Sequence, residues 1–258
     1  MLFNELMFEK SVILRIELFK YCTYEVPDVY SVKHFARHLQ LNYQQTIGHF
    51  RKINDELKRV NPYQKDILRS NGKVDLTNIL VGVDEYRYYL LKHSVPFMLL
   101  QEIVNGEEMN IEQFCEKYDI SRSTISRKLF ALTKFLKQYK IRISYSPLSL
   151  IGNEAKIRLT LFYIYWIGNK GLEWPFAIEK QRAVEFIQDN PLIVGLTGSF
   201  VGELEVHILS GITLSRIDKG HLNEKSASWE KFFDLENKKE LVQLVKKYTN
   251  NLSEEQVH

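Results

Sequence analysis

The sequence is poor in the residues that define several classes of protein. Its 258 residues include only two cysteines, six prolines and twelve glycines. Cys22 and Cys115 stand far apart with no CxxC spacing, which argues against a disulfide framework. We expect each to be a small buried apolar residue in a reducing compartment. Because proline and glycine interrupt helices, their scarcity favours a mostly α fold.

The sequence also lacks a long apolar run and the usual enzyme motifs. The most apolar internal run, residues 159–168, has ten residues, which is too short to span a bilayer. The N-terminus carries Glu5 and Glu9 and no small-residue cleavage site, so no signal peptide is predicted. No phosphate loop, HExxH, GxSxG or metal-spaced Cys/His cluster is present. We therefore predict a cytoplasmic protein that is not an enzyme and uses no cofactor or metal.

Negative charge is missing from one segment. The whole chain has 35 basic and 32 acidic residues, but residues 120–150 contain seven Lys/Arg and no Asp or Glu. Because screening makes a polyanion sensitive to nearby charge, this local excess matters more than the net charge of +3. The segment is a candidate surface for nucleic acid.

A duplicated unit surrounds this segment. Residues 32–41 (VKHFARHLQL) align with residues 111–120 (IEQFCEKYDI) at an offset of 79. The apolar residues that follow keep this offset, but Thr46-Ile47 matches Thr124-Ile125 at an offset of 78. This mismatch predicts a slip of one residue around the intervening turn.

Each copy has the pattern of a winged helix-turn-helix. In each copy a short helix with a small residue at its centre is followed by a tight turn and a second helix, and in the second copy that helix has a Ser-rich start. In the second copy Ile125, Leu129, Leu132 and Leu136 form one apolar helical face. Residues 140–152 then read as a hairpin wing, and residues 67–76, with Asn71-Gly72 as the turn, have the same form in the first copy.

The second copy supplies most candidate DNA-binding residues. If its apolar face is buried, the basic and hydroxyl side chains of the second helix face solvent and can reach base edges and phosphates, while two wing residues flank the backbone. The candidates are Arg122, Ser123, Thr124, Arg127, Lys128, Lys134, Lys140 and Arg142.

The first copy is a weaker candidate because Asp55 and Glu56 interrupt its polar face. It either contacts DNA itself or braces the second copy. Its candidate residues are Tyr43, Gln44, Gln45, His49, Arg51 and Lys52.

Residues 109–166 resemble the Mga/AtxA family of bacterial transcription regulators. The most specific piece is LxxxGNExxIR, which spans Leu148 to Arg158 and resembles the family's transition into a phosphotransferase-regulation domain (PRD). The resemblance implies a winged helix-turn-helix over 1–83, a second over 84–152, and an all-helical PRD-like regulatory bundle over 153–258. The residue pattern predicts a last helix near 228–249. It also implies a sequence-specific regulator, expected to be an activator, that binds double-stranded DNA.

The resemblance further implies regulation through histidine phosphorylation. His207 lies in a segment that resembles the family's phosphorylatable one, with Arg216 following, and His221 is a second candidate. The expected partners are a phosphotransferase-system phosphocarrier protein and a second copy of the chain, with no membrane. Two alternatives stay open: a protein-interaction module whose basic strip binds an acidic partner, and an enzyme that handles RNA or phosphate.

Overall fold

The computed structural model describes residues 3–190, 198–223, 243–244 and 246–248. The chain divides into two compact units between Phe97 and Met98. Each unit is built mainly from helices and has one pair of short antiparallel strands among its described residues. The predicted mostly helical fold with short hairpins is confirmed, whereas the boundaries 1–83, 84–152 and 153–258 stay predictions.

The first unit begins with a pair of helices and continues with a helix-turn-helix, a strand pair and a further helix. These elements are α1 (Phe3–Met7), α2 (Lys10–Tyr24), β1 (Val29–Ser31), α3 (Val32–His38), α4 (Tyr43–Val60), β2 (Lys73–Asp75) and α5 (Val83–Lys92). The side chains of Phe35 and Phe50, whose ring centroids are 5.2 Å apart, join α3 to α4 in the core.

The first wing differs in one respect from the predicted hairpin over 67–76. The turn forms at Asn71-Gly72, where Gly72 has φ +71 and its N–H donates to the Arg69 carbonyl. The main partner of β2, however, is β1, and residues 67–70 contribute only an isolated bridge from Leu68. Strand β2 pairs with β1 over three consecutive residues, whereas the segment before the turn pairs with β2 only at Leu68.

The second unit carries the other helix-turn-helix and the helices that follow it. Its elements are α6 (Val95–Asn105), within which the division falls, α7 (Ile111–Tyr118), α8 (Arg122–Gln138), β3 (Arg142–Tyr145), β4 (Leu148–Ile151), α9 (Glu154–Asn169), α10 (Lys180–Gln188) and α11 (Phe200–Asp218). β3 and β4 form the predicted second wing, with Arg142 opposite Ile151. Most of the helix predicted near 228–249 lies outside the described residues.

The LxxxGNExxIR motif forms the joint between the second wing and α9. Gly152 has φ +156, and a Cβ atom there would lie 2.9 Å from the Lys140 carbonyl oxygen, so a side chain would strain the backbone. Asn153 caps α9 by accepting a hydrogen bond from the Lys156 N–H at 3.2 Å. The wing therefore passes into α9 with no intervening loop.

The Glu154 side chain of the same motif holds α9 to α11. Its carboxylate accepts two hydrogen bonds from Arg216, at 2.9 and 2.6 Å, and one from Arg158 at 3.0 Å. Arg216 is fully buried and Glu154 is nearly so. This bidentate pair is a strong, geometrically specific contact between residues 62 positions apart.

Lys219, immediately after α11, contacts the end of α6. Its ammonium donates to the carbonyls of Ile103, at 2.9 Å, and Gly106, at 2.6 Å. These bonds satisfy carbonyl groups that the end of a helix leaves unpaired. Burial lowers the pKa of Lys219. The end of α11 is thus joined to the winged helix of its own unit.

We predict that Glu154→Gln destabilises the protein by about 3–5 kcal/mol, because it leaves the buried Arg216 guanidinium without an opposite charge. Urea unfolding of the parent and variant measures this free energy. Glu185→Gln, on the exposed side of α10, is the control and should change stability by less than about 0.5 kcal/mol. A loss below about 1 kcal/mol for Glu154→Gln would contradict the prediction.

Candidate nucleic-acid interface and regulatory histidines

The turns of the two helix-turn-helix copies have the same backbone geometry. Gln40 and Asp119 are both left-handed, with φ 53 and 51. In each copy the N–H of the next residue donates to the carbonyl five positions earlier in the chain, at 3.0 Å. The two turns are thus equivalent residue by residue, although neither contains the glycine that usually adopts this conformation.

The offset of 79 continues through the second helix of each copy without a slip. α4 begins at Tyr43 and α8 at Arg122, and Thr46 is buried at the position equivalent to the buried Ile125. The predicted slip of one residue is therefore wrong. Thr46 can replace an aliphatic residue there because its hydroxyl donates to the Asn42 carbonyl at 2.9 Å.

A cluster of hydroxyl groups marks the start of α8. Ser121 is the N-cap, and its Oγ accepts a hydrogen bond from the Thr124 N–H at 3.3 Å. The same Oγ lies 2.9 Å from the Thr124 hydroxyl and 3.2 Å from that of Ser123. Ser123 is exposed and Thr124 is half-buried, so Ser123 presents the more accessible hydroxyl.

One face of α8 is exposed along its length. Ile125, Leu129, Leu132 and Leu136 are buried as predicted. On the solvent side four exposed residues have the same spacing, and we call them the exposed stripe: Ser123, Arg127, Phe130 and Lys134. Phe130, which is 71% exposed, was not among the sequence candidates, although the spacing of four, three and four identifies it.

The remaining candidates of the second copy occupy different surroundings. Arg122 forms an ion pair with Glu112 of α7, in which both side chains are largely exposed. Lys128 is half-buried. Lys140 and Arg142 are exposed at the base of the wing beside the C-terminal end of α8, not at the wing tip. The candidates therefore divide between the two ends of one helix.

The first copy presents a less basic surface at the equivalent positions. The counterparts of the exposed stripe are Gln44, Gly48, Arg51 and Asp55, all exposed. The acidic Glu56 is turned inward, where it accepts hydrogen bonds from Arg15, at 3.0 and 2.8 Å. Of the two acids noted in the sequence, only Asp55 is fully exposed on this helix.

The other candidates of the first copy differ in how exposed their side chains are. Tyr43 and Lys52 are exposed. Gln45 belongs to a capping box, in which its side-chain oxygen accepts a hydrogen bond from the Asn42 N–H at 3.2 Å. His49 is half-buried, and burial lowers its pKa, which disfavours a positive charge on this ring near neutral pH.

His207 of α11 is 8% exposed and lines a cavity of about 150 Å³ together with Trp174 and Lys180. Its Nδ1 is buried without a hydrogen-bond partner, and burial lowers the pKa of the ring. Arg216 is nine residues further along the same helix, about 13 Å along the axis, and contacts Glu154 instead. The structure therefore does not bring Arg216 to His207.

His221 lies beside the Glu154 network. Its N–H donates to the Arg216 carbonyl at 3.0 Å, and its own carbonyl accepts from the Arg158 guanidinium at 2.9 Å. The side chain is half-buried, and burial, followed by the charge of Arg216, lowers the pKa of the ring. Three cationic side chains act on the His221 ring: Arg216, Lys219 and Arg158. Among the described residues, Lys180 is the cation that acts on the His207 ring.

Comparison with known proteins identifies the second copy. The family model described as the Mga helix-turn-helix domain matches residues 82–165. This chain carries an Mga helix-turn-helix domain. The resemblance to Mga/AtxA regulators is thus confirmed, and the matched segment contains α7, α8, the second wing and most of α9.

Three known proteins that are similar to this chain are named as regulators. A protein of Streptococcus pneumoniae serotype 4, provisionally named a trans-acting regulator, is 27% identical over 184 residues, 67% of this chain and 36% of its own length. The capsule synthesis positive regulators AcpB and AcpA of Bacillus anthracis are 24% and 23% identical over 55% and 54% of the chain, and 30% and 29% of their own lengths. The chain thus spans about a third of each relative. None of the three is named as an enzyme.

Among the described residues, none of the helices is long and apolar enough to cross a membrane.

We predict that the protein loses stability as the pH falls from about 7 to about 5. The pKa of His207 in the folded chain is below its value in the unfolded chain, so the unfolded chain binds the proton more readily over this range. His207→Gln should reduce the slope of unfolding free energy against pH by at most one proton, about 1.4 kcal/mol per pH unit. Urea unfolding at several pH values measures it.

Ser210→Ala, at another buried position of α11, is the control, because it removes no titrating group. It should shift the stability at every pH by a similar amount. An unchanged slope in His207→Gln would contradict the prediction.

Proposed function

We propose that this chain is a sequence-specific DNA-binding transcriptional regulator and that its second winged helix reads double-stranded DNA. The observation that carries the proposal is the exposed stripe of α8, which combines basic and hydroxyl side chains on a helix without a single acid. The Mga domain match and the names of the relatives support it.

The geometry suggests roles for four of the sequence candidates and for Phe130. With the N-terminal half of α8 in a major groove, Arg127 donates to a guanine edge and the Ser123 hydroxyl bonds a neighbouring base. Phe130 offers an apolar contact for a thymine methyl group. Arg122 and Lys134, on either side, bind phosphates, which fix the position of the helix without reading sequence.

In the first copy, we propose that Arg51 and Lys52 contact phosphates. This part of the proposal rests on their exposure. The equivalent of Arg127 there is Gly48, which has no side chain to reach a base edge, so sequence discrimination falls to the second copy.

We expect Arg127→Ala to cost about 1–3 kcal/mol of binding free energy for the preferred duplex and to lower the salt slope by at most about one. The preferred duplex is first selected from genomic fragments, and binding is then measured by fluorescence anisotropy across a salt series. Lys65→Ala removes an equally exposed cation outside the helix-turn-helix and is the control. Equal loss of affinity in both variants, or no enrichment of any sequence, would contradict the proposal.

We further propose that a phosphocarrier protein of the phosphotransferase system tunes this regulator through a histidine. His221 is the better supported acceptor, because Arg158 and Arg216 contact its backbone and guanidinium groups pair well with phosphate. Lys219, two residues earlier, bonds the end of α6, so a phosphate at His221 would compete for a cation that contacts the winged helix of the same unit. His207 is the second candidate; Lys180 lines its cavity.

In a phosphotransfer assay with a phosphorylated phosphocarrier protein, we expect label on the parent and on His207→Ala but not on His221→Ala. His38→Ala, which removes an exposed histidine of the first unit, is the control. Label that persists on His221→Ala, or that is absent from the parent, would contradict this assignment.

The proposed direction of regulation is activation, since two relatives are named positive regulators.

Homodimerisation is also proposed, because a paired regulator reads two half-sites. Sedimentation with and without the selected duplex tests it: one chain per duplex at all concentrations would contradict a dimer.

A further inference from the structure

A groove lies at the base of the second wing, and we call it the wing-base groove. It has a volume of about 400 Å³ and is formed where the C-terminal end of α8 meets the first residue of β3 and the last residue of β4. Its lining residues are Thr133, Lys137, Lys140, Ile141, Arg142, Ile151 and Gly152.

The groove combines an apolar floor with a basic rim. Ile141 is buried beneath it, and Ile151, at 38% exposure, forms an apolar wall. Lys137, Lys140 and Arg142 are exposed around the opening, and none of them forms an ion pair with a carboxylate in the part of the chain that the structure describes. Three cations without carboxylate partners around an apolar surface attract a ligand that is both acidic and apolar.

Local backbone geometry keeps the groove open. Gly152, on the lining, has no side chain, and its φ of +156 together with the Lys140 carbonyl excludes one. Lys140 itself is left-handed, with φ 60, so the chain reverses direction between α8 and β3. The groove is thus part of the covalent joint between helix and wing and not a gap between loosely packed side chains.

The groove lies at the opposite end of α8 from Arg127, the residue that we propose for base recognition. Lys137 is ten residues beyond Arg127, about 15 Å along the helix axis. The wing tip at Ser146-Pro147 is about 13 Å from Arg142 along the strand. The rim cations attract phosphate as well as carboxylate, but the isoleucine floor favours a ligand that also carries an apolar side chain, such as leucine or phenylalanine.

We propose that the wing-base groove docks an acidic segment of a partner protein, with one bulky apolar side chain on the isoleucine floor and flanking carboxylates on the basic rim. Charge complementarity carries the choice of occupant, since all three rim cations attract carboxylates. The groove then gives a DNA-binding chain a second surface, at the opposite end of α8, through which it recruits a protein. The inference does not depend on which sequence the chain reads.

The test uses the whole chain and a fluorescein-labelled twelve-residue peptide that alternates Asp and Glu around a central Leu-Phe pair. A second peptide replaces that pair with Ser-Ser, and a third replaces the acids with their amides. We expect the first peptide to bind at least about tenfold more tightly than either of the others. Lys137→Glu and Ile151→Ser should each weaken it on the order of tenfold, because one reverses a rim charge and the other removes the apolar wall.

Lys65→Glu, an equally exposed charge reversal in the first unit, is the matched control and should leave peptide binding unchanged. Circular dichroism of each variant confirms that it is folded. Two results would overturn the proposal: equal binding of the Leu-Phe and Ser-Ser peptides, which would indicate unselective charge attraction, or no weakening by Ile151→Ser in a folded variant.

DNA affinity of the same variants separates this proposal from the proposed function. Lys137→Glu should retain sequence preference for the selected duplex, whereas Arg127→Ala should lose it. If duplex DNA displaces the peptide and Lys137→Glu loses sequence preference as Arg127→Ala does, the groove belongs to the DNA surface and the peptide site is refuted. If Arg127→Ala has no effect but peptide binding behaves as expected, the DNA proposal fails and the docking site stands.

Discussion

The second unit depends on a single buried carboxylate. Glu154 is the first residue of α9, and its two oxygens bind Arg216 near the end of α11 and Arg158 one turn along α9. Removing two charged groups from water is costly, and only close, well-aligned hydrogen bonds offset that cost. The arrangement is therefore specific: the two helices can meet only in the register that pairs these groups.

Several other features of the unit follow from that register. Because β4 leads into α9 through Gly152 and the Asn153 cap, fixing α9 also fixes the base of the wing. Lys219 directly follows α11, so the position of this helix brings the Lys219 ammonium to the carbonyls of Ile103 and Gly106 at the end of α6. The winged helix and the helices after it are thereby parts of one compact unit.

Local patterns in the sequence predicted local structure well. The apolar face of α8, the turn of the helix-turn-helix and the second wing all depend on neighbouring residues, so their spacing was sufficient. The spacing of residues does not predict that Arg216 pairs with Glu154, because the two lie 62 positions apart and meet only in the folded chain. The matching pairs Thr46-Ile47 and Thr124-Ile125 predicted a slip of one residue, which is wrong. In the structure Thr46 is buried and its hydroxyl donates to a backbone carbonyl, so the register is kept. The charge pattern of the segment does not indicate Phe130, because this exposed residue is apolar.

The ion pair between Arg122 and Glu112 affects how the acid-free segment responds to a polyanion. Although the segment itself has seven cations and no acids, α7 supplies a carboxylate to one of them. The Arg122 guanidinium therefore already has a carboxylate partner in the free protein. A phosphate that approaches Arg122 must compete with Glu112, so this arginine attracts a polyanion less strongly than its charge alone suggests.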